Sequence, residues 1–214
     1  TIDPKFEIDT PVRLSQVYVP ARVQEITTSE QGELGRIDDP VKIISGLFGR
    51  GDARGVVLLG GPGAGKTALV DRLTNSLSLG LLENLQKDVD DLDGEAWREQ
   101  IPGWIGAFVL PVRVSLQEFA ACSLPVDAGQ GAAGYLWDYI EGKLKADALS
   151  DFAHSLKLML SGAMDVRGRM RDKVGNGCLV FLDGLDEVPQ YQREIVEQTI
   201  DEFSRRFNQC VVVV

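Results

Sequence analysis

The chain has 214 residues, of which 44% are hydrophobic, and it carries 22 Lys and Arg against 32 Asp and Glu, a formal net charge of −10. This length fits one large domain or at most two small ones, and the apolar content excludes disorder over the whole chain. The acidic balance argues against direct nucleic-acid binding, and no apolar run approaches the ~18–20 residues that cross a membrane, so we expect neither partner.

The first 38 residues alternate apolar and polar side chains around prolines, which predicts an extended arm or linker over 1–38. The pattern changes at Asp39, a helix N-cap residue that is followed by Pro40 at the first helical position. Val41 and Ile44 then share one helix face. We therefore predict one folded domain over 39–214.

Four short apolar strands alternate with helices in this domain. The predicted strands are GVVLLG (55–60), IGAFVLPVRVSL (105–116), CLVFLD (178–183) and CVVVV (210–214). The predicted helices are TALVDRLTNSL after the first strand, about 132–147, about 150–161 and 191–207. This alternation favours right-handed crossovers and an open parallel sheet with helices on both faces.

Three cysteines, Cys122, Cys178 and Cys210, occur without C-x-x-C spacing. They predict buried thiols in a reducing compartment. The polar N-terminal stretch contains no signal peptide. Both features favour a cytoplasmic location.

A glycine-rich turn between the first strand and its helix matches G-x-x-x-x-G-K-[ST]. Glycines let successive backbone N–H groups point inward, and this nest opens onto a helix N-terminus that favours phosphate. Lys66 is expected to reach the β- and γ-phosphates, and Thr67 to place its hydroxyl on Mg²⁺. The predicted nucleotide-binding residues are Gly60, Gly61, Pro62, Gly63, Ala64, Gly65, Lys66, Thr67 and Ala68.

Three carboxylates follow the third strand within five residues. Asp183 ends the strand at the edge where open α/β sheets bind ligands, so we predict that it holds Mg²⁺ together with Thr67. Asp186 and Glu187 come one short turn later and could orient and deprotonate an attacking water. Asp186, Glu187 and Lys66 are therefore the predicted catalytic residues.

The order of the strands can also be predicted. Pro111 interrupts the second strand and suits the rim of the sheet, because proline donates no ladder hydrogen bond. In P-loop ATPases with a separate catalytic carboxylate, the fourth strand lies between the first strand and the strand that ends in Asp. The predicted fold class is thus an α/β P-loop NTPase three-layer sandwich with an open parallel sheet of order 2-3-4-1 and a fifth strand missing.

Together these segments resemble a NACHT domain, the nucleotide-binding module of the STAND class of P-loop ATPases. The likeness covers about 41–214. It is carried by GVVLLGGPGAGKTALVDRL, LPVRVSLQEFA, LVFLDGLDEVP and REIVEQTIDEF followed by a strand. Its most specific mark is Gly184, a small residue directly after Asp183, with acidic residues at the third and fourth places after that Asp.

The resemblance implies a molecular switch that exchanges ADP for ATP with Mg²⁺, then associates with copies of itself. Effector and sensor domains would lie in the same polypeptide. The short, compact segments of the chain are similar to those of bacterial NLR-like members of the family, which serve antiphage defence and innate immunity. The family's sensor segment would follow Val214, so we expect a domain truncated before that segment, with slow or absent hydrolysis.

Two other functions stay open. One is an interaction scaffold that holds nucleotide without turnover. The other is a GTP-using signalling NTPase, although no N/T-K-x-D guanine motif is present. An AAA+ motor is disfavoured by Gly184 and the offset acidic pair. No motif marks the adenine contacts, for which Val19, Pro20 and Val41 are guesses from their expected position.

Overall fold

The computed structural model describes residues 23–24, 37–46, 55–58, 63–85, 101–105, 108–124, 134–164, 177–207 and 211–213. The helices are α1 (Pro40–Gly46), α2 (Lys66–Leu85), α3 (Leu116–Ser123), α4 (Tyr135–Ala146), α5 (Ser150–Leu160) and α6 (Gln190–Arg206), and one 3-10 helix spans Leu185–Glu187. The strands are β1 (Val23–Gln24), β2 (Ile37–Asp38), β3 (Gly55–Val56), β4 (Leu110–Ser115), β5 (Cys178–Asp183) and β6 (Val211–Val213).

Four of the strands form one parallel sheet in the order β3-β6-β5-β4, and β1 pairs with β2 in a separate antiparallel pair. β4 and β5 pair along their whole length, from Leu110 opposite Cys178 to Ser115 opposite Asp183. β4 lies at the rim, as Pro111 predicts, and β6 lies between β3 and β5. The carboxyl ends of β4 and β5 therefore meet at one edge of the sheet.

The predicted fold class needs correction. A three-layer P-loop NTPase sandwich requires a full four-stranded sheet as its middle layer, but only β4 and β5 reach six residues. In the described part of the chain, β3 and β6 contribute two and three residues. The strand order agrees with the predicted 2-3-4-1, but the sandwich prediction is wrong, because the described residues form six helices around a sheet in which only β4 and β5 pair over six residues. The apolar run at 55–60 overstated the first strand, since Val57 and Leu58 are not strand, because an apolar run does not show how far a strand pairs.

β5 is buried on both faces, and its side chains alternate between two cores. Leu179 and Phe181 pack with α1, α2 and Trp104 in the first core. Cys178, Val180 and Leu182 pack with α3, α4, α5 and α6 in the second. Each such side chain stabilises the fold by about 1.5–3 kcal/mol on burial, so β5 is fixed from both sides.

Two helix boundaries show how local sequence sets the elements. The Asp39 Oδ1 accepts a hydrogen bond from Val41 N at 2.9 Å, so Asp39 caps α1 as predicted. Ser115 Oγ accepts from Glu118 N at 3.3 Å and ends β4 by capping α3. The sequence analysis did not predict α3, and it extended the second strand over residues that are not strand.

The helix predictions agree better with the structure. α4, α5 and α6 begin and end within a few residues of their predicted bounds. Val196, Thr199 and Phe203 are the buried face of α6. The prediction of buried thiols is right for Cys178 and wrong for Cys122, which is exposed, and Cys210 lies outside the described residues. Within the described ranges, no helix has both the length and the apolar character to cross a bilayer.

Candidate functional site

The glycine-rich turn predicted to bind phosphate leads directly into α2. Gly63 and Gly65 have φ angles of +77° and +83°, which are left-handed values that favour glycine. Leu69 N donates to Gly65 O at 2.9 Å and closes the first turn of the helix. Gly63, Ala64 and Gly65 are exposed and Ala68 is half-buried in the first turn, whereas residues 60–62 lie outside the described part of the chain. The described half of the turn can thus offer backbone N–H groups to an anion.

Thr67 and Asp183 meet although 116 residues separate them in the sequence. Thr67 lies in the first turn of α2, and Asp183 ends β5. The Thr67 hydroxyl donates to Asp183 Oδ1 at 3.3 Å. The structure therefore brings the two predicted magnesium ligands together at the carboxyl edge of the sheet.

Lys66 and Asp186 form a second contact at the same place. The Lys66 Nζ lies 3.8 Å from Asp186 Oδ2, and the two side chains are 27% and 65% exposed. Glu187 is also exposed, and its carboxylate folds back toward Gly184, where a Cβ would lie 3.2 Å from Glu187 Oε2. Asp186 is thus the predicted catalytic carboxylate that contacts Lys66.

The turn that carries both carboxylates, Leu185–Glu187, has two supports. Gly184 adopts a φ of 86°, so it can reverse the chain after β5 without steric cost. Arg193 of α6 donates from Nη2 to the main-chain carbonyls of Asp186 at 3.2 Å and Val188 at 3.1 Å. A helix from the second core therefore fixes the backbone of this acidic turn.

Arg113 is a site residue that the sequence analysis missed. It lies on β4, and its guanidinium contacts Asp71 Oδ1 of α2 and donates to Asp183 Oδ2 at 2.9 Å. The sequence held two weak signals. Arg113 is a lone charge within an apolar strand, and Asp71 follows Thr67 by four residues, so both lie on one face of a helix.

The chemistry of this donor set fits a polyphosphate with a hard cation. A hydroxyl and a carboxylate oxygen are ligands that Mg²⁺ accepts, and Mg²⁺ commonly uses one or two carboxylates together with phosphate oxygens. Within the ranges that the structure describes, no three His, Cys, Asp or Glu side chains form a metal cluster. Phosphate oxygens and water would complete the coordination of a magnesium ion held by Thr67 and Asp183.

The guesses for adenine contacts have less support. Val41 is 1% exposed within the first core, and Val19 and Pro20 lie outside the described residues.

No protein-family model, curated protein or solved structure matches the chain. The NACHT resemblance consequently stays a prediction that depends on the segments quoted for it.

Proposed function

We propose that the chain binds a Mg²⁺–nucleotide at the edge formed by α2 and β5, and that it serves as an ATP/ADP switch domain of the NACHT kind. The observation that best supports this proposal is the 3.3 Å contact between Thr67 Oγ1 and Asp183 Oδ1 at a helix N-terminus. An acidic turn without a role in the site would have no reason to bring the Asp183 carboxylate into contact with Thr67, the residue directly after the motif lysine.

Each residue has a separate task in this proposal. The backbone N–H groups around Gly63 and Gly65 hold phosphate oxygens, and the positive end of α2 favours their charge. Lys66 exchanges its contact with Asp186 for the phosphates. Thr67 and Asp183 would hold magnesium, which supplies neutralisation of the phosphate charge when it is bound.

Asp186 is proposed to orient the attacking water, with Glu187 as the neighbouring carboxylate. Hydrolysis is expected to be slow, because the Asp186 side chain is 65% exposed, and a water-exposed carboxylate acts more weakly than one in a closed site from which water is expelled. Slow hydrolysis suits a switch, in which the bound nucleotide sets the state of the protein. The same exposure also favours a second candidate, a scaffold that holds nucleotide without turnover.

The wider role is proposed on the resemblance alone. Exchange of ADP for ATP would permit self-association and activate an effector domain in the same polypeptide, in a cytoplasmic defence pathway of the innate-immune or antiphage kind. The same phosphate contacts would accept GTP, so the alternative function is a GTP-using signalling NTPase. Titration of ADP against GDP would separate the two bases.

The decisive experiment is isothermal titration of the chain with ADP and with ATPγS, each with Mg²⁺ and with EDTA, beside a thermal melt. A ligand at 100 times its Kd stabilises the folded state by about 2.7 kcal/mol, which should raise the Tm by about 5–10 °C. Thr67→Val keeps the side-chain shape and should lose the increase in nucleotide affinity that Mg²⁺ gives the wild type. Absence of both heat and a Tm shift would overturn the proposal, and single-turnover hydrolysis of ATP would separate the switch from the scaffold.

A further inference from the structure

Arg113 connects three elements at the carboxyl edge of the sheet. From β4 its guanidinium reaches Asp71 of α2 and donates to Asp183 Oδ2 of β5 at 2.9 Å. Asp183 directs its other oxygen, Oδ1, to the Thr67 hydroxyl. Each oxygen of the Asp183 carboxylate thus has a partner on a different element.

The register of the sheet explains why Arg113 can make this contact. Arg113 pairs with Phe181, which faces the first core and α2. Its neighbour Val114 faces the second core instead. Strand alternation therefore presents Arg113 to α2, where Asp71 lies on the same helix face as Thr67.

A guanidinium is the appropriate group for this position. It is planar and carries five donors, so it can bind two carboxylates at once in fixed directions, whereas an ammonium is a point charge on a flexible stem. The Asp183 side chain is 14% exposed, and burial of a carboxylate costs free energy unless hydrogen-bond donors replace the water that it loses. Arg113 meets this need without covering Oδ1.

We propose that Arg113 is a positioning residue that fixes the Asp183 carboxylate so that Oδ1 and the Thr67 hydroxyl face the magnesium of a bound nucleotide together. This inference deepens the proposed function and rests on it. Groups that orient a metal ligand in this way set metal affinity, and their loss costs about 10–100-fold. Arg113 thus acts on magnesium through Asp183, and not by touching the nucleotide.

The test compares the affinity for ADP with Mg²⁺ and with EDTA by isothermal titration, in the wild type and in Arg113→Gln. The variant should lose about 10-fold or more of its affinity with Mg²⁺ and keep its affinity in EDTA. Arg113→Lys should fall between the two, because one ammonium cannot hold both carboxylates in place. The matched control is Arg205→Gln, which removes an exposed arginine that pairs with Asp201 on α6 and should change neither affinity.

The outcomes separate this inference from the proposed function. Equal losses of affinity with Mg²⁺ and with EDTA would show that Arg113 supports only the fold, and unchanged affinities under both conditions would show that it does not orient Asp183. Either result overturns the inference and leaves nucleotide binding intact, whereas a wild type that binds no nucleotide overturns both. Should Arg113→Gln fail to fold, Asp71→Ala keeps the contact between Arg113 and Asp183 and frees the guanidinium from α2. This variant should lose less affinity for ADP than Arg113→Gln, and again only with Mg²⁺. An affinity with Mg²⁺ equal to that of the wild type would reject the inference.

Discussion

Two charged clusters lie on either side of the β4–α3 junction, and they differ in how they are built. The first, the strand-end cluster, comprises Lys66, Asp71, Arg113, Asp183 and Asp186. The second, the helix clasp, comprises Glu118 of α3 with Lys143 and Tyr139 of α4. In the clasp the Lys143 ammonium contacts the Glu118 carboxylate and lies 5.5 Å from the centre of the Tyr139 ring.

The clasp joins two helices that are neighbours in the chain, and both charged side chains are about half exposed, at 50% and 49%. The strand-end cluster joins α2, β4, β5 and the acidic turn, and its contacting residues Lys66 and Asp186 are 120 positions apart in the sequence. A surface ion pair of this kind contributes little to the free energy of unfolding. Convergence of several distant elements on one helix N-terminus is uncommon, and it is this feature that marks a candidate site.

The largest expected effect comes from comparing one lysine in each cluster. Lys66→Met should lower the affinity for Mg²⁺–ADP by about 100-fold or more, since removal of one partner of a hydrogen-bonded charge pair that becomes buried on binding costs about 2–5 kcal/mol. Lys143→Met removes the same charge from the clasp and should leave that affinity unchanged. Isothermal titration of both variants measures the contrast directly.

Matched thermal melts without nucleotide are the control, because they show whether either variant has lost its fold. Similar affinities for the two variants would mean that the strand-end cluster is a structural ion-pair group of the same kind as the clasp. The distinction between the two clusters would then have no functional meaning.

The second effect concerns the acidic turn of the strand-end cluster. Arg193 of α6 holds the backbone of this turn. Arg193→Met removes two hydrogen bonds from a charged donor to the carbonyls of Asp186 and Val188. The free energy of unfolding should fall by about 2 kcal/mol, and the Tm by about 4–8 °C. Arg205→Met on the same helix changes an exposed pair and should stay within about 0.5 kcal/mol. Equal melting temperatures for the two variants would show that Arg193 does not support the turn.

The strand-end cluster shows which parts of the site a sequence can reveal. Lys66, Thr67 and Asp183 were predicted because a short motif and a strand-end position each imply their role. Phosphate binding by a turn and a helix N-terminus depends on local sequence, so local spacing is enough to predict it. The order of the strands was predicted from the strand arrangement of P-loop ATPases with a separate catalytic carboxylate, together with the position of Pro111.

Arg113 and Arg193 could not be predicted, because their roles depend on register and on packing between distant elements. A strand that slips by one residue would turn Arg113 to the other face of the sheet, and the sequence alone does not fix that register. The length of β3 was overestimated for a related reason, since the apolar run continues through Val57 and Leu58, which are not strand. The start of α3 was missed because the cap at Ser115 depends on where β4 ends.

The smallest effect tests the clasp by its pH dependence. The hydrogen bond from Lys143, aided by one from Tyr139, lowers the pKa of Glu118, and the hydrogen bond to Glu118 raises the pKa of Lys143. A lowered carboxyl pKa stabilises the fold above the unfolded pKa, and this contribution disappears as the pH falls through the folded pKa. For Lys143 the sign is reversed, so its contribution is full below the unfolded pKa of 10.5 and is lost as the pH rises through the raised folded pKa.

Glu118→Gln should therefore lower the Tm slightly at pH 7, by about 2 °C or less, as for an exposed pair. The difference from the wild type should disappear in acid, once the pH has fallen below the lowered pKa of Glu118 and its carboxylate is protonated in the folded state as well. Circular dichroism melts between neutral and acidic pH measure it, and Lys143→Met is the reciprocal control, in which Glu118→Gln should have no further effect. A Tm difference that persists in acid would mean that Glu118 acts through packing and not through its charge. A loss of Mg²⁺–ADP affinity in Glu118→Gln would show that the two clusters are coupled across the β4–α3 junction.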